Sequence, residues 1–254
     1  MKAIILAAGQ GRRLLPWTRD LPKCLLPFAG RSLLSWQLAA LAANAVRDVV
    51  VVTGFAAHAI EGEIARATPA GMTVTTLFNP FHGVAENIVS CWMARDHLGG
   101  DLAVINGDTL FEPRVLTRAR KGAKYPVNVT TDIKAAYDVD DMKVQLAGDR
   151  VAHIGKVLPP EQSDAESIGL LLLRGPGASL FTDAVEAVMR QPGGVSRWYL
   201  SAVEELAARQ VVGATSIAGL GWTEVDYPAD LARAEALARS WAGSDTPCED
   251  RLAQ

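Results

Sequence analysis

Short runs rich in β-branched residues alternate with longer amphipathic segments from the start of the chain, and few architectures accommodate that pattern. Lys2 to Ala7 reads as a strand that is apolar throughout after its lysine, as expected where both faces are buried. Ser32 stands as an N-cap before Leu33, Leu34, Trp36, Leu38 and Leu41, whose spacing gives a helix with an apolar face, and Asp48 to Thr53 supplies a Val-rich second strand. Thr73 to Phe78 and Leu102 to Asn106 repeat the strand pattern, with Ala57 to Ala67 and Asn87 to His97 as helices between them. Such alternation predicts βαβ units, and hence an α/β fold: a Rossmann-like three-layer sandwich around a mainly parallel mixed sheet.

The rhythm changes after Val127. Strands are expected at Val127 to Ile133, Lys143 to Ala147, Arg150 to Ile154 and Ile168 to Leu173, with Gly148-Asp149 suited to a tight hairpin, so this stretch reads as a small antiparallel insertion or lid. Helices return at Gly177 to Met189 and Tyr199 to Ala208, followed by a strand at Val211 to Ile217 and a last helix at Tyr227 to Trp241. With 254 residues and 49% hydrophobic content, one domain over residues 1–241 can bury an ample core, and residues 242–254 read as a loose tail.

Charge and cysteine usage remove several functions. A net charge of −3 leaves no footprint for a nucleic-acid partner. The three cysteines, Cys24, Cys91 and Cys248, are scattered without a CxxC pair or metal-ligand spacing, which fits a reducing, cytoplasmic setting. The apolar run at the N-terminus stops at Gly9 and meets Arg12 and Arg13, too short for a secretory signal, and no apolar stretch reaches the ~20 residues of a membrane span.

The chemistry begins just after the first strand, in Leu6-Ala7-Ala8-Gly9-Gln10-Gly11-Arg12-Arg13-Leu14, followed by Pro22-Lys23 and Pro27. A glycine pair after a buried strand lets the backbone approach phosphates and present N–H groups to them. Leu14 stands where a GxGxxG fingerprint needs its third glycine, and no Gly-Lys-Ser/Thr closes a Walker A loop. A lone Gly-x-Gly would as readily make a plain turn, but this one carries four cations, Arg12, Arg13, Arg19 and Lys23, in an acidic chain. Two acidic positions follow. The strand Leu102 to Asn106 runs into Gly107-Asp108-Thr109, which puts Asp108 where open α/β sheets bind ligands, and alternation along Trp222 to Asp226 puts Glu224 and Asp226 on one face. Each aspartate could instead cap a helix; together they offer the one or two carboxylates that Mg2+ ordinarily takes from a protein.

The stretch Leu6 to Leu14 with Pro22-Lys23-Cys24-Leu25-Leu26-Pro27 resembles the entrance motif, LAAGxGxRL and a Pro-Lys pair, of the nucleotidyltransferases that make NDP-sugars and CDP-alcohols. Where that family usually has proline after the lysine, this chain has Cys24, a position that acts through its backbone. The resemblance implies that Leu6, Ala8, Gly9 and Gly11 cradle the nucleotide, that Arg13 meets the departing phosphates, and that Lys23 reaches the α-phosphate. It further implies Mg2+ on Asp108 and Asp226, with Glu224 as a third ligand. A phosphate monoester is itself a nucleophile near neutral pH, so Arg13, Lys23, Asp108 and Asp226 suffice as catalytic residues without a Ser-His-Asp or Cys-His set.

The segments Asn79-Pro80, Asn87-Ile88-Val89-Ser90, Asp140-Asp141-Met142-Lys143-Val144, Ile154-Gly155-Lys156, Glu166-Ser167-Ile168-Gly169 and Trp198-Tyr199-Leu200 are similar to cytidylyltransferases acting on phosphocholine and 2-aminoethylphosphonate. That implies CTP as donor with Asn87 and Ser90 at the nucleotide, a small phosphorylated acceptor held by Lys156, and Asp141, Glu166 and Tyr199 available to an amine. Tyr199 and Trp198 could equally anchor a helix in the core, and Asp140-Asp141 could be a solvated turn. Two other readings stay open: a sugar-1-phosphate nucleotidyltransferase using UTP, TTP or GTP, and a nucleotide-sensing domain without turnover. A homodimer is compatible with either.

Overall fold

The computed structural model describes residues 1–242, so the expected tail, apart from its first residue, and Cys248 lie outside the described residues. In chain order the first half comprises β1 (Lys2–Leu6), β2 (Pro27–Phe28), β3 (Arg31–Ser32), α1 (Leu33–Ala43), β4 (Asp48–Thr53), α2 (Ala57–Ala67), β5 (Thr73–Phe78), α3 (Asn87–Met93), β6 (Leu102–Asn106), β7 (Thr109–Phe111) and α4 (Pro113–Gly122). The second half comprises β8 (Val127–Asp132), β9 (Lys143–Ala147), β10 (Arg150–Gly155), β11 (Ala165–Leu173), α5 (Gly177–Met189), α6 (Leu200–Ala207), β12 (Val212–Ser216), β13 (Trp222–Glu224) and α7 (Pro228–Ala242).

Nine strands form one mixed sheet in the order β5-β4-β1-β6-β11-β8-β12-β10-β9. The β5-β4-β1-β6 half is parallel, as the alternation of strands and helices predicts. The antiparallel stretch expected after Val127 is present, and its place differs from that of an appended lid: β11 pairs antiparallel with both β6 and β8, so these strands continue the parallel sheet. The β9–β10 hairpin turns through Gly148-Asp149 with Gly148 at φ 68°, a backbone region that glycine occupies without steric cost.

Strand alternation sorts β1 between two apolar layers. Ile4 and Leu6 pack with residues of α3, α5 and α6, including Ile88, Phe181 and Val203, while Ala3 and Ile5 pack with Leu34 and Leu38 of α1, Ile60 of α2 and Leu116 of α4. Helices therefore cover both faces, giving three layers. At the start of α1, Ser32 accepts a hydrogen bond from the Ser35 N–H at 3.0 Å, the cap its residue type predicts. Helix α4 has no counterpart in the sequence reading, although Pro113 at its first turn and the spacing of Val115, Leu116 and Ala119 are its signals.

The site is placed by the order of strands. After β1 the chain moves outward to β4 and β5 on one side, then returns to β6 on the other, so the connections after β1 and β6 diverge and leave a crevice at their C-terminal ends. Gly107 lets them come close: its N–H donates to Leu6 O at 2.9 Å, and a Cβ there would lie 2.6 Å from that oxygen.

Candidate active site

The crevice opens into a cavity of about 710 Å³. One wall is the loop after β1. Gly11 turns it at φ 78°, and the Thr18 hydroxyl closes it by donating to Gly11 O at 2.7 Å. A Cβ on Gly11 would sit 2.9 Å from Cβ of Lys23, so the absence of a side chain lets the lysine stem lie against the loop. Around the Cβ position of Gly9 there is nothing within 4 Å, which leaves the backbone accessible from the cavity. Leu14 is buried and seats the following 3-10 turn, while Arg12 and Arg13 remain exposed on the cavity wall. Arg19, the fourth cation of the segment, is outside that wall.

Lys23 is the hub. Its Nζ lies 2.7 Å from Asp108 Oδ2 and donates a short hydrogen bond to Asp226 Oδ1. Burial alone would lower the Lys23 pKa, but the two carboxylates more than offset this and hold the ammonium above its ordinary value. Asp108 and Asp226 are 118 positions apart in sequence and meet through β7 and β13, which pair antiparallel with Thr109 opposite Glu224, while the Val225 N–H donates to Asp108 O at 3.1 Å. Buried Gln37 of α1 fixes the same turn, donating from Nε2 to the carbonyls of Asn106 and Thr109 at 2.7 and 2.9 Å. Neither aspartate is a helix cap: Glu112 precedes α4, and Asp230 receives the N–H groups of Asp226 and Tyr227.

A divalent cation fits this corner. Asp108 Oδ1 is buried without a hydrogen-bond partner, Asp226 is alongside, and the Glu224 carboxyl is held well above its usual range by burial and by repulsion from Asp108 and Asp226. Among the described residues no three His, Cys, Asp or Glu side chains are grouped to hold a metal ion by themselves. Mg2+ needs only one or two carboxylates when water and phosphate oxygens complete its octahedron.

The remaining expected residues divide. Leu6, Ala8, Gly9, Gly11, Arg13, Lys23, Asn87, Ser90, Asp108, Lys156, Tyr199, Glu224 and Asp226 all line the cavity. Asn87 and Ser90 also serve the fold: Asn87 Oδ1 accepts from the Tyr199 N–H at 2.9 Å, and Ser90 Oγ accepts from Asn79 Nδ2 at 3.0 Å. Tyr199 is fully buried in the cavity wall with an unpartnered hydroxyl, edge-on to Phe181, so it is as much a core residue as a ligand contact. Lys156 lies 4.6 Å from the Trp198 ring centroid and 3.5 Å from Asp140 Oδ1.

Asp141 and Glu166 do not line the cavity, contrary to expectation. Both are turned to Lys134, whose Nζ lies 2.7 Å from Asp141 Oδ1 and 2.6 Å from Glu166 Oε2. The neighbouring Asp140 and Ser167 face the cleft instead, because the winding of the turn after β8 presents the residue before Asp141 and alternation along β11 presents the residue after Glu166. Gln37 and Thr18 had no place in the sequence reading, and Asp140 and Trp198 were quoted there without a role in the site. For Asp140 the signal was present, in a pair of adjacent aspartates of which only one can face the site.

A family model described as nucleotidyl transferase matches residues 2–141, the part of the chain that carries the glycine loop, Lys23, Asp108 and Asp140. The chain belongs to the nucleotidyl transferase family. Nucleotidyl transferase relatives include the CMP-5'-(3-aminopropyl)phosphonate synthase of Streptomyces rubellomurinus, 31% identical over 92% of this chain and 38% of that protein. The bifunctional IPC transferase and DIPP synthase of Aquifex aeolicus is 29% identical over 92% of this chain and 50% of that protein. The chain thus spans half or less of the length of these two curated relatives. The fold is shared with the inositol-1-phosphate CTP transferase of T. maritima, at a TM-score of 0.79 and 20% identity over 94% of each chain. No helix among the described residues is long and apolar enough to cross a membrane.

Proposed function

We propose that the chain is a Mg2+-dependent cytidylyltransferase that moves CMP from CTP onto a small amine-bearing phosphonate or phospho-alcohol, such as 2-aminoethylphosphonate or phosphocholine, and releases pyrophosphate. The observation that carries this reading is Lys23, held between Asp108 and Asp226 at the mouth of the glycine loop. In this account an oxygen of the acceptor's phosphonate or phosphate attacks the α-phosphorus of CTP. The bond from that phosphorus to the oxygen bridging it to the β-phosphate breaks, and its electron pair leaves with pyrophosphate. No redox partner or covalent enzyme intermediate is required, so alignment and neutralisation of charge are the catalytic tasks.

The residues divide that work. N–H groups of the Ala8–Gly11 loop and the Arg13 guanidinium take the β- and γ-phosphates, Lys23 takes the α-phosphate as negative charge develops on it, and Lys156 takes the acceptor's phosphonate or phosphate. Bound at Asp108 and Asp226, with Glu224 behind them, Mg2+ would neutralise the triphosphate and polarise the reacting phosphoryl group. Asn87 and Ser90 line the cavity wall formed by α3, which supports assigning them to the base and ribose. CTP and an amino-phosphonate are favoured by the similarity to the CMP-5'-(3-aminopropyl)phosphonate synthase of Streptomyces together with the anionic and aromatic groups near Lys156. The net charge of −3 accords with the lack of a nucleic-acid partner, and the three scattered cysteines accord with a reducing, cytoplasmic setting.

Pyrophosphate release measured for ATP, CTP, GTP and UTP, each crossed with 2-aminoethylphosphonate, phosphocholine and hexose 1-phosphates, tests the proposal. The expected result is release with CTP and an amine-bearing acceptor. Release only with a hexose 1-phosphate would replace it with the sugar-nucleotide reading, and tight nucleotide binding without release would replace it with a sensor.

A further inference from the structure

The segment between β8 and β9, residues 133–142, meets the cleft through Asp140 and Met142, and the way it is wound explains why Asp140 is presented and Asp141 is not. Asp138 Oδ1 accepts the N–H groups of Asp140 and Asp141 at 2.8 and 3.1 Å, and Asp141 Oδ2 accepts the Asp138 N–H at 2.9 Å, making a closed acidic turn. Two lysines anchor it. Lys134 clamps Asp141 to Glu166, and the buried Lys143 of β9 donates to the carbonyls of Asp138 and Asp141 at 2.8 and 3.3 Å.

Asp140 spans the two halves of the site. Its Oδ1 is 3.5 Å from Arg13 Nη2 on the nucleotide side and 3.5 Å from Lys156 Nζ on the acceptor side, while Oδ2 accepts a short hydrogen bond from the Tyr227 hydroxyl. Both ion pairs are long, and the Asp140 side chain is 36% exposed, so each contact is weakly held. Each cation also has a second support that does not involve Asp140. Arg13 lies 3.6 Å from Asp226 and over the Tyr227 ring, and Lys156 lies over Trp198. A phosphate group carrying a charge of about −1.5 to −2 is a stronger partner for either cation than one distant carboxylate. Once phosphate oxygens occupy Arg13 and Lys156, Asp140 is a carboxylate without its cations, standing beside the lysine that holds the acceptor.

We propose that Asp140 is the specificity residue that receives the acceptor's ammonium group, and that until then it stands in for the substrates' phosphates on Arg13 and Lys156. This rests on the reading of the site as a nucleotidyl transferase centre using an amine-bearing acceptor. Discrimination follows from charge. An acceptor with a hydroxyl in place of the ammonium leaves Asp140 uncompensated, whereas the amine restores a charge-assisted hydrogen bond, a difference of about 10- to 100-fold in kcat/KM. Removing the carboxylate abolishes that difference and removes a competitor for Arg13, so the KM for CTP does not rise.

The test compares 2-aminoethylphosphonate with 2-hydroxyethylphosphonate as acceptors, with CTP and Mg2+, in the wild type, Asp140→Asn and Asp140→Glu, with thermal midpoints recorded for all three. The expected result is a preference for the amine in the wild type, its loss in Asp140→Asn through a raised KM for the amine, and partial recovery in Asp140→Glu. A wild type that prefers the amine while Asp140→Asn keeps that preference overturns the assignment and leaves the cytidylyltransferase reading standing. Equal use of both acceptors by the wild type also overturns it. Turnover confined to a hexose 1-phosphate, run beside them as a third acceptor, overturns both.

Discussion

Asp108 separates a role of charge from a role of shape. Its Oδ2 pairs with Lys23 and its Oδ1 has no partner, so Asp108→Asn preserves the outline of the turn while removing the charge that a divalent cation and Lys23 both use. A folded protein with a nearly unchanged thermal midpoint and turnover lower by about 10²–10³ is expected. Near-normal turnover at saturating Mg2+ would remove Asp108 from the metal site. Gly11 gives a second residue-scale prediction. Alanine there would occupy φ 78° and place its Cβ 2.9 Å from Lys23 Cβ, so Gly11→Ala should lower stability by about 1–2 kcal/mol and turnover by more than stability explains, because Lys23 must move. Thermal melts and pyrophosphate release on one preparation check it. Residues contiguous in sequence, such as Gly9, Gly11, Arg13 and Lys23, were legible because one loop fixes their relations. Asp141 and Glu166 were misplaced because the choice between each and its neighbour depends on how a turn winds and where a strand's alternation begins, and Lys134 decides both.

At the scale of elements, the parallel half was readable and the antiparallel half only in part. β1, β4, β5 and β6 are short apolar or β-branched runs in one repeating unit, whereas the pairing of β11 with β6, β8 and β9 is a matter of register that residue types do not state. The β7–β13 ladder, three residues a side, is too short for a periodic signal, yet it brings Asp108 and Asp226 together. The anchor beneath residues 133–142 makes its own prediction. Burial lifts the Glu166 carboxyl to about 7 despite the attraction of Lys134, from an ordinary value of 4.5. Between those values the folded chain holds a proton that the unfolded chain has released, so this group's contribution to stability is fully present below the window and declines as pH rises through it. Relative to Glu166→Gln, which cannot titrate, the wild type should lose unfolding free energy between the ordinary value of 4.5 and about pH 7. Denaturant melts of both proteins across that range check the sign, and a relative gain with rising pH would show that Lys134 outweighs burial.

For the whole molecule, the cavity is a meeting of opposite charges inside an acidic chain. Arg13, Lys23 and Lys156 are each held by one or more of Asp108, Asp140 and Asp226, and in the proposed reaction phosphate groups and Mg2+ would take the place of those partners when substrates bind. Fold and reaction class were legible because the strand order places the crevice and the glycine loop fills it; the acceptor was less so, because its side of the cavity is assembled from Lys156 just after β10, the turn before α6 and the 133–142 segment. Transfer of CMP to a phosphonate oxygen forms a new bond that phosphorus-31 NMR of CTP with 2-aminoethylphosphonate, Mg2+ and the protein reads directly. The expected result is a new phosphorus–oxygen–phosphorus linkage between CMP and the phosphonate, appearing in step with pyrophosphate and absent when the cation is chelated. Pyrophosphate appearing with free CMP and unchanged phosphonate, or no change in CTP, would contradict it.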